Sequence, residues 1–469
     1  MQTTLFLLLI PVACTEGEGG IRPFEKQPYY WEYRGHPVML LGASDDDNLF
    51  QMNGLHHHLL EMKACGANYV RNTMSSRPAT DSAIAQPFER TEDGRYDLDA
   101  FNPIYWNRLD SLLAWTHALG IFVQVELWAT HDLFGEAWKL SPWNPANNSN
   151  YIAEEVTVDS VAPGRAYRYH PFFNTVPGAV ADTILLQYQR NFVEKVLEHT
   201  LRFDHVLYCI TNEIQSAQTT RWGKYWTQLI RQRAGIAGRK VMITEMYWNP
   251  DMQSEQQREA LEDSQGFDFF ESSQNSALSG ERNWENLRYL VEALSGQPRP
   301  VNSVKVYGKS HTEVTWPGSD DEAIDRFWRN ILGGCASTRF HREEEGVYGL
   351  GLSDKSRESV RTARWFTTEL PPWTASPCNN LFIERDSNEV YGVSGEGGKY
   401  GLYFPDEADI MMELRENPAE VELQWRNAAS GSQQEELRKG GSPVRIETPP
   451  GSHWVCLVKQ TGDVSYEGK

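Results

Sequence analysis

Residues Phe203–Ile214 read FDHVLYCITNEI, an apolar run that closes on the pair Asn212-Glu213. Val206, Leu207, Tyr208, Cys209 and Ile210 form a short continuous apolar segment, the pattern of a strand buried on both faces of a parallel sheet. A carboxylate just past the C-terminal end of such a strand stands where barrel enzymes carry their chemistry. Asn212 can hydrogen-bond a sugar hydroxyl there while Glu213 exchanges a proton with a glycosidic oxygen. Alone, the dipeptide is also an ordinary loop pair; its place in a repeating strand–helix pattern gives it weight.

That pattern runs through most of the chain. Candidate strands lie at Val38–Gly42, Asn68–Thr73, Ile121–Leu127, His205–Thr211, Lys240–Glu245, Phe267–Glu271, Val301–Tyr307 and Ala336–His341. Between them apolar residues recur at helical spacing, as in Leu185, Tyr188, Phe192 and Val196 or Ile324, Phe327, Trp328 and Ile331. Gly66 and Gly120 each stand where a left-handed helix cap belongs, just before the next strand. Eight such repeats predict an α/β fold, a (β/α)8 TIM barrel over 21–374. The competing architecture, a doubly wound open sheet, lacks its glycine-rich phosphate loop after the first strand. Beyond the linker Leu370-Pro371-Pro372-Trp373 the pattern turns to short alternating segments at Glu389–Val393, Tyr400–Phe404, Val421–Trp425 and Trp454–Val458. These predict an antiparallel β-sandwich domain over 375–469, read as a structural cap on the barrel in preference to a carbohydrate-binding module.

A chain of 469 residues is long for one core and suits this two-part plan. The net charge of −20 argues against nucleic acid, polyanions and acidic membranes as partners. Aromatic residues make up 12% of the chain, with 16 Trp, and many follow candidate strands, where flat faces match the C–H face of a pyranose. The start, MQTTLFLLLIPVAC, has the length of a secretory leader (1–20) and predicts export, with a lipid anchor at Cys14. Pro11 and the lack of a preceding Lys or Arg depart from the usual lipoprotein pattern. Cys65, Cys209 and Cys335 read as buried thiols, whereas Cys378 and Cys456, near the two ends of the last domain, are candidates for pairing.

Several stretches together resemble the clan of retaining barrel glycosidases that includes cellulase-like and apiosidase-type enzymes. GANYVRNTM resembles the clan's second strand with its substrate-site arginine, here Arg71, and DGRYDLDAFNPIYWNRLDSLLAWTHALGIFVQVELW its second helix and third strand. ITNEI is similar to the acid/base strand, which implies a proton donor at Glu213 with Asn212 as its sugar-binding neighbour. LQWRNAASG and ETPPGSHWVCLV resemble the collagen-binding-type β-domain often appended to such barrels. One position departs from the clan. Its seventh strand ends in a nucleophilic Glu, and the matching RPVNSVKVYG carries Lys305 there, which cannot act as a carboxylate nucleophile.

A second carboxylate must then come from elsewhere. Glu271 closes GFDFFESSQN and Glu245 closes KVMITEMYW, with Glu313 a weaker third in a loop; Glu271 is preferred, as it ends nearer the displaced position. The structural alternative for Glu245 is an ion pair with Arg71 or Lys305. Lys305 itself is expected beside Glu271 or Glu245. After the first strand, Asp45-Asp46-Asp47-Asn48 lacks the glycine and glutamate of a calcium loop, so Asp45 and Asp46 are read as sugar ligands, or one of the acids as a base for an inverting route. His56, His57 and His58 point about 100° apart on a helix and cannot share a metal ion, so they read as surface. Trp128, Lys305, Tyr307, His341 and Arg342 complete the expected sugar-binding set, and no cofactor or metal is called for. The long loop from Ala129 to Thr183, rich in Trp138, Trp143, Tyr151, Tyr167, Tyr169, His170, Phe172 and Phe173, predicts a closed pocket and exo action. The expectation is an exported glycoside hydrolase acting on a carbohydrate; the alternatives are a non-catalytic carbohydrate-binding barrel and a surface adhesin.

Overall fold

Buried apolar strands alternating with amphipathic helices leave a chain one economical solution, a closed parallel ring with helices outside. The computed structural model has that arrangement and describes residues 19–75, 84–162, 170–179, 181–215, 220–262, 266–310, 316–342 and 349–461. The leader with Cys14, and Tyr167, Tyr169 and Glu313, fall outside the described residues. Barrel strands one to eight are Leu40–Ala43, Tyr69–Thr73, Phe122–Ala129, Val206–Asn212, Met242–Thr244, Phe270–Glu271, Val301–Asn302 and Ser337–Phe340. Strands two to five form one parallel sheet, six pairs with seven, and eight pairs with one through Thr338↔Leu41. Backbone bonds from Asn68 to Leu41 (2.8 Å), Asp268 to Ile243 (2.8 Å) and Ala336 to Val301 (2.7 Å) close the ring.

The eight outer helices are Leu55–Ala64, Pro103–Leu119, Thr183–Thr200, Thr220–Ile236, Glu255–Glu262, Gly280–Ala293, Asp320–Gly333 and Asp354–Glu369. Side chains of Asn102, Asp182, Ser319 and Ser353 cap the N-termini of the second, third, seventh and eighth. Gly120 takes the left-handed cap (φ 68°) that ends the second. The first helix differs from its reading: His58 is buried and its Nδ1 lies 3.5 Å from Asp45, while His56 and His57 are exposed.

Strands six and seven are shorter than the apolar pattern suggests. Ser273 Oγ accepts from the amides of Val304 (2.7 Å) and Lys305 (3.1 Å), and Ser276 Oγ from Tyr307 (2.8 Å). Serine hydroxyls thus replace ladder bonds near the mouth. At the opposite end an unforeseen antiparallel hairpin, Arg22–Pro23, Trp31–Tyr33 and His36–Val38, plugs the barrel base. Trp31 packs edge-on to Phe269 and donates to Asn302 Oδ1 (2.9 Å).

The C-terminal strands form a six-stranded and a three-stranded antiparallel sheet around Tyr400, Leu402, Phe404, Ile410, Met412, Val421, Leu423 and Trp425. Cys378 and Cys456, candidates for pairing, are both buried free thiols within this core. The sheets dock on the barrel by stacking Tyr403 on Trp328 at 5.6 Å and by pairing Arg385 with Glu281 at 2.6 Å.

His453, on the docked face, sits 3.2 Å from Asp325 and 3.3 Å from Asp321 of the seventh helix, with Tyr403 donating to Asp325 at 2.6 Å. Burial disfavours its charge, but the hydrogen bond and charge of Asp325, with Asp321, outweigh it and raise its pKa above the ordinary 6.5. A raised folded-state pKa gives stability that is full below the unfolded value and lost as pH rises through the folded one. The urea midpoint should therefore fall as pH is raised past about 6.5, and His453→Gln should flatten that slope; an equal slope in both proteins would refute the assignment.

Candidate active site

The fourth strand is buried along its whole length, Val206–Asn212, and the chain then turns sharply. Glu213 adopts φ 64°, a left-handed conformation uncommon for a non-glycine residue and often kept for function. Thr130 Oγ1 holds the turn by donating to the Glu213 carbonyl at 2.9 Å. The carboxylate, on a residue 8% exposed, bonds the Lys305 ammonium through Oε1 and His131 Nε2 through Oε2 at 2.9 Å. Lys305 also donates to Asn212 Oδ1 at 2.6 Å. Burial pushes the Glu213 pKa upward, yet Lys305 and His131 outweigh it and hold the group well below the usual carboxylate range. Glu213 therefore rests ionised.

A second charged cluster faces it from strands one, two, three and eight. Arg71 is fully buried, pairs with Asp47 through Nη1, and donates through Nε to Glu126 Oε1 at 2.7 Å. Arg342 Nη1 lies 3.1 Å from the other Asp47 oxygen, and His341 Nδ1 3.9 Å from the first. Burial raises the Asp47 pKa, but Arg342 and Arg71 more than reverse this and hold it well below its usual range. Burial keeps His341 neutral, well below its ordinary pKa. Tyr307 joins the clusters. Its ring meets His341 at 5.2 Å and Trp316 at 5.1 Å, and its phenol pKa is raised by burial and then by the Glu213 charge.

Other expected residues stand elsewhere. Glu271 lies deep in the barrel, in a chain of hydrogen bonds that starts at the basal plug. Trp31 donates to Asn302 (2.9 Å), Asn302 to Tyr69 OH (3.0 Å), Tyr69 OH to Gln124 Oε1 (2.6 Å), and Gln124 Nε2 to Glu271 Oε2 (3.1 Å). Gln124 precedes Thr130, the neighbour of Glu213, by six residues along the third strand, about 20 Å of extended chain. Burial lifts the Glu271 pKa to about 7. Glu245 turns into the helix layer: Oε1 accepts from the Thr211 amide at 2.7 Å, and Oε2 lies against Gly223 and has no hydrogen-bond partner. Burial raises its pKa well above the usual carboxylate range. Lys305 thus pairs with Glu213, in place of Glu271 or Glu245.

Among the three consecutive acids, the turn aims Asp47 into the mouth. Asp45 accepts from the Leu352 amide at 2.5 Å and faces His58; Asp46 caps the Asn48 amide at 2.8 Å. Trp128 offers no face to a sugar, because Trp143, Phe172, Phe192, Trp222 and Trp226 surround its ring. Trp138, Tyr151 and Phe173 of the long loop are likewise buried, so its described part packs on its own aromatic residues. Sequence reading missed His131, Glu126 and Trp316; His131 follows the end of the third strand at the barrel mouth, the signal that would have marked it. Trp316 is 47% exposed beside Tyr307.

No protein-family profile and no curated protein matches the sequence. Solved structures do match the fold. A glycoside hydrolase family 5 protein from Bacteroides vulgatus superposes with a TM-score of 0.63 at 12% identity, covering 94% of each chain. A second glycoside hydrolase gives 0.62 at 12% identity over 95% of this chain and 98% of its own. A family 5 mannosidase from Rhizomucor miehei gives 0.53 at 13% identity over 75% and 98%. At these identities the likeness is one of architecture: the chain has the fold of family 5 glycoside hydrolase structures, C-terminal sheets included.

Proposed function

We propose that the barrel mouth binds the end of a glycan and hydrolyses a glycosidic bond, with Glu213 and Asp47 as the two carboxylates. The observation that carries this reading is their placement: two buried, ionised carboxylates on strands one and four, both felt by Tyr307. Burying such charges is costly unless a site uses them. The fold likeness adds to it, as one similar structure, a Rhizomucor miehei mannosidase, was solved with mannosyl-fructose. Lys305 takes the place of a seventh-strand nucleophile, and an ammonium cannot attack the anomeric carbon. Water attack remains: Asp47, already ionised, serves as base, and Glu213 as acid toward the leaving oxygen. Glu213 gains its proton once substrate separates it from Lys305, so binding and protonation are coupled. Trp316 provides a stacking face at the entrance. Export through the apolar leader ending at Cys14 belongs to the same proposal.

A second reading, glycan binding without hydrolysis, is favoured by the resting Glu213–Lys305 ion pair. One experiment separates the two. Oligosaccharides of mannose, glucose and xylose are incubated with the protein while ¹H NMR follows the newly formed anomer, and calorimetry measures binding. Release of a terminal sugar with inverted configuration is expected. Retention would exclude Asp47-assisted water attack; binding without turnover would leave the second reading, and neither would sink both.

A further inference from the structure

The strand that delivers Glu213 to the mouth is preceded, at the barrel base, by Asp204-His205. There His117, near the end of the second helix, joins them: ligand atoms of His117, Asp204 and His205 all lie within 4.8 Å of one another. His205 is buried, and its protonation follows from its neighbours. Thr116 Oγ1 sits 3.0 Å from His205 Nε2, but its own hydrogen goes to the Leu112 carbonyl at 2.7 Å. Toward His205 it can only accept, so Nε2 carries the proton. The bare nitrogen, Nδ1, is buried without a partner. A buried histidine with one nitrogen fixed by a hydroxyl and the other keeping a free lone pair is prepared as a metal ligand.

We propose that His117, Asp204 and His205 bind a divalent transition-metal ion of the zinc type at the base of the barrel. Two imidazoles and a carboxylate are a ligand set that zinc takes, with water in the fourth position. Asp204 is held in place by Tyr33 OH, which donates to Oδ1 at 2.8 Å, and its Oδ1 lies 3.4 Å from His117 Nε2. A cation already rests here. Arg34 Nη2 lies 3.1 Å from Asp204 Oδ2 and 3.4 Å from His117 Nε2, on a side chain 55% exposed and free to swing outward. Because Tyr33 and Arg34 belong to the basal hairpin, the bound ion would tie plug, helix and strand together.

The test is titration of the chelator-treated, untagged full chain with zinc chloride by calorimetry, alongside cobalt(II) absorption. The parent should bind one ion saturably. His117→Ala should weaken binding by at least about tenfold, Arg34→Gln should strengthen it, and a His56→Ala/His57→Ala control on the exposed first helix should leave it unchanged. Bound zinc should also raise the thermal midpoint of the parent and not that of His117→Ala. His117 is half-exposed, so its variant is expected to fold, which tryptophan fluorescence checks. Binding unchanged in His117→Ala, or no saturable binding in the parent, would overturn the proposal. Binding confined to Arg34→Gln would overturn it too, by showing that the guanidinium occupies the place permanently.

Discussion

Arg71→Met should destabilise the barrel by about 3–5 kcal/mol at neutral pH, the range seen when one partner of a buried ion pair is deleted. The arginine is fully buried between Asp47 and Glu126, and methionine fills much of its volume without its charge. Asp47 would keep Arg342, but Glu126 would lose its ion-pair partner, and its Oε2 already lacks a hydrogen bond. Arg71→Lys should recover part of the loss only, since an ammonium cannot span both carboxylates as the fork does. The sign of the pH dependence follows from Asp47. Its folded pKa is depressed, so its contribution is full above the unfolded value near 3.9 and is lost as pH falls from there through the lower folded value. Urea denaturation should show parent and variant converging below about pH 4. A loss under about 1 kcal/mol at pH 7 would mean that the cluster is hydrated and carries little of the fold.

The second large effect is catalytic. Glu213→Gln should lower turnover by at least about 100-fold on a substrate with a poor leaving group. It should also cost stability, because Lys305 is left buried with an uncharged neighbour in place of its carboxylate. Lys305→Met acts the other way on Glu213. With the ammonium gone, the largest lowering influence is lost, the carboxyl pKa rises, and the pH–rate profile moves upward. Combining the two substitutions should restore much of the stability and none of the activity, giving a coupling energy of about 1–3 kcal/mol in a double-mutant cycle. Additive stability losses would show that the pair does not interact; parental turnover by Glu213→Gln would remove the residue from the reaction.

How far the sequence reaches depends on the range of the interaction. Strands such as Val206–Asn212 and the capped helices were legible because burial on both faces and capping chemistry are written locally. The basal hairpin was not, as its two- and three-residue strands are broken by proline and glycine and read as loop. Site residues divide the same way. The approach of Arg71 to the mouth follows from its place in strand two. The partner of Lys305 does not, since it sits on strand four and depends on how far each side chain reaches across the ring. Glu245 looked catalytic from its strand-end position, yet its carboxyl lies against Gly223, whose missing side chain makes the room. Asp47 could not be told from Asp45 and Asp46 because one tight turn decides which of three acids faces inward.

Closure of the ring bears on how the protein is made. Arg339 bonds Ser44 across a sequence separation of 295 residues, beside the pairing of the eighth strand with the first. At ribosomal speeds of about 5–20 residues per second, the first strand waits roughly 15–60 s for that partner to be synthesised. Until then Asp47 lacks Arg342, and the strand's open edge is a template for unwanted pairing. A product of premature termination before residue 337 would carry Glu213 and Arg71 but no assembled mouth. The paired charges of the mouth are therefore complete only once the eighth strand and Arg342 have been translated.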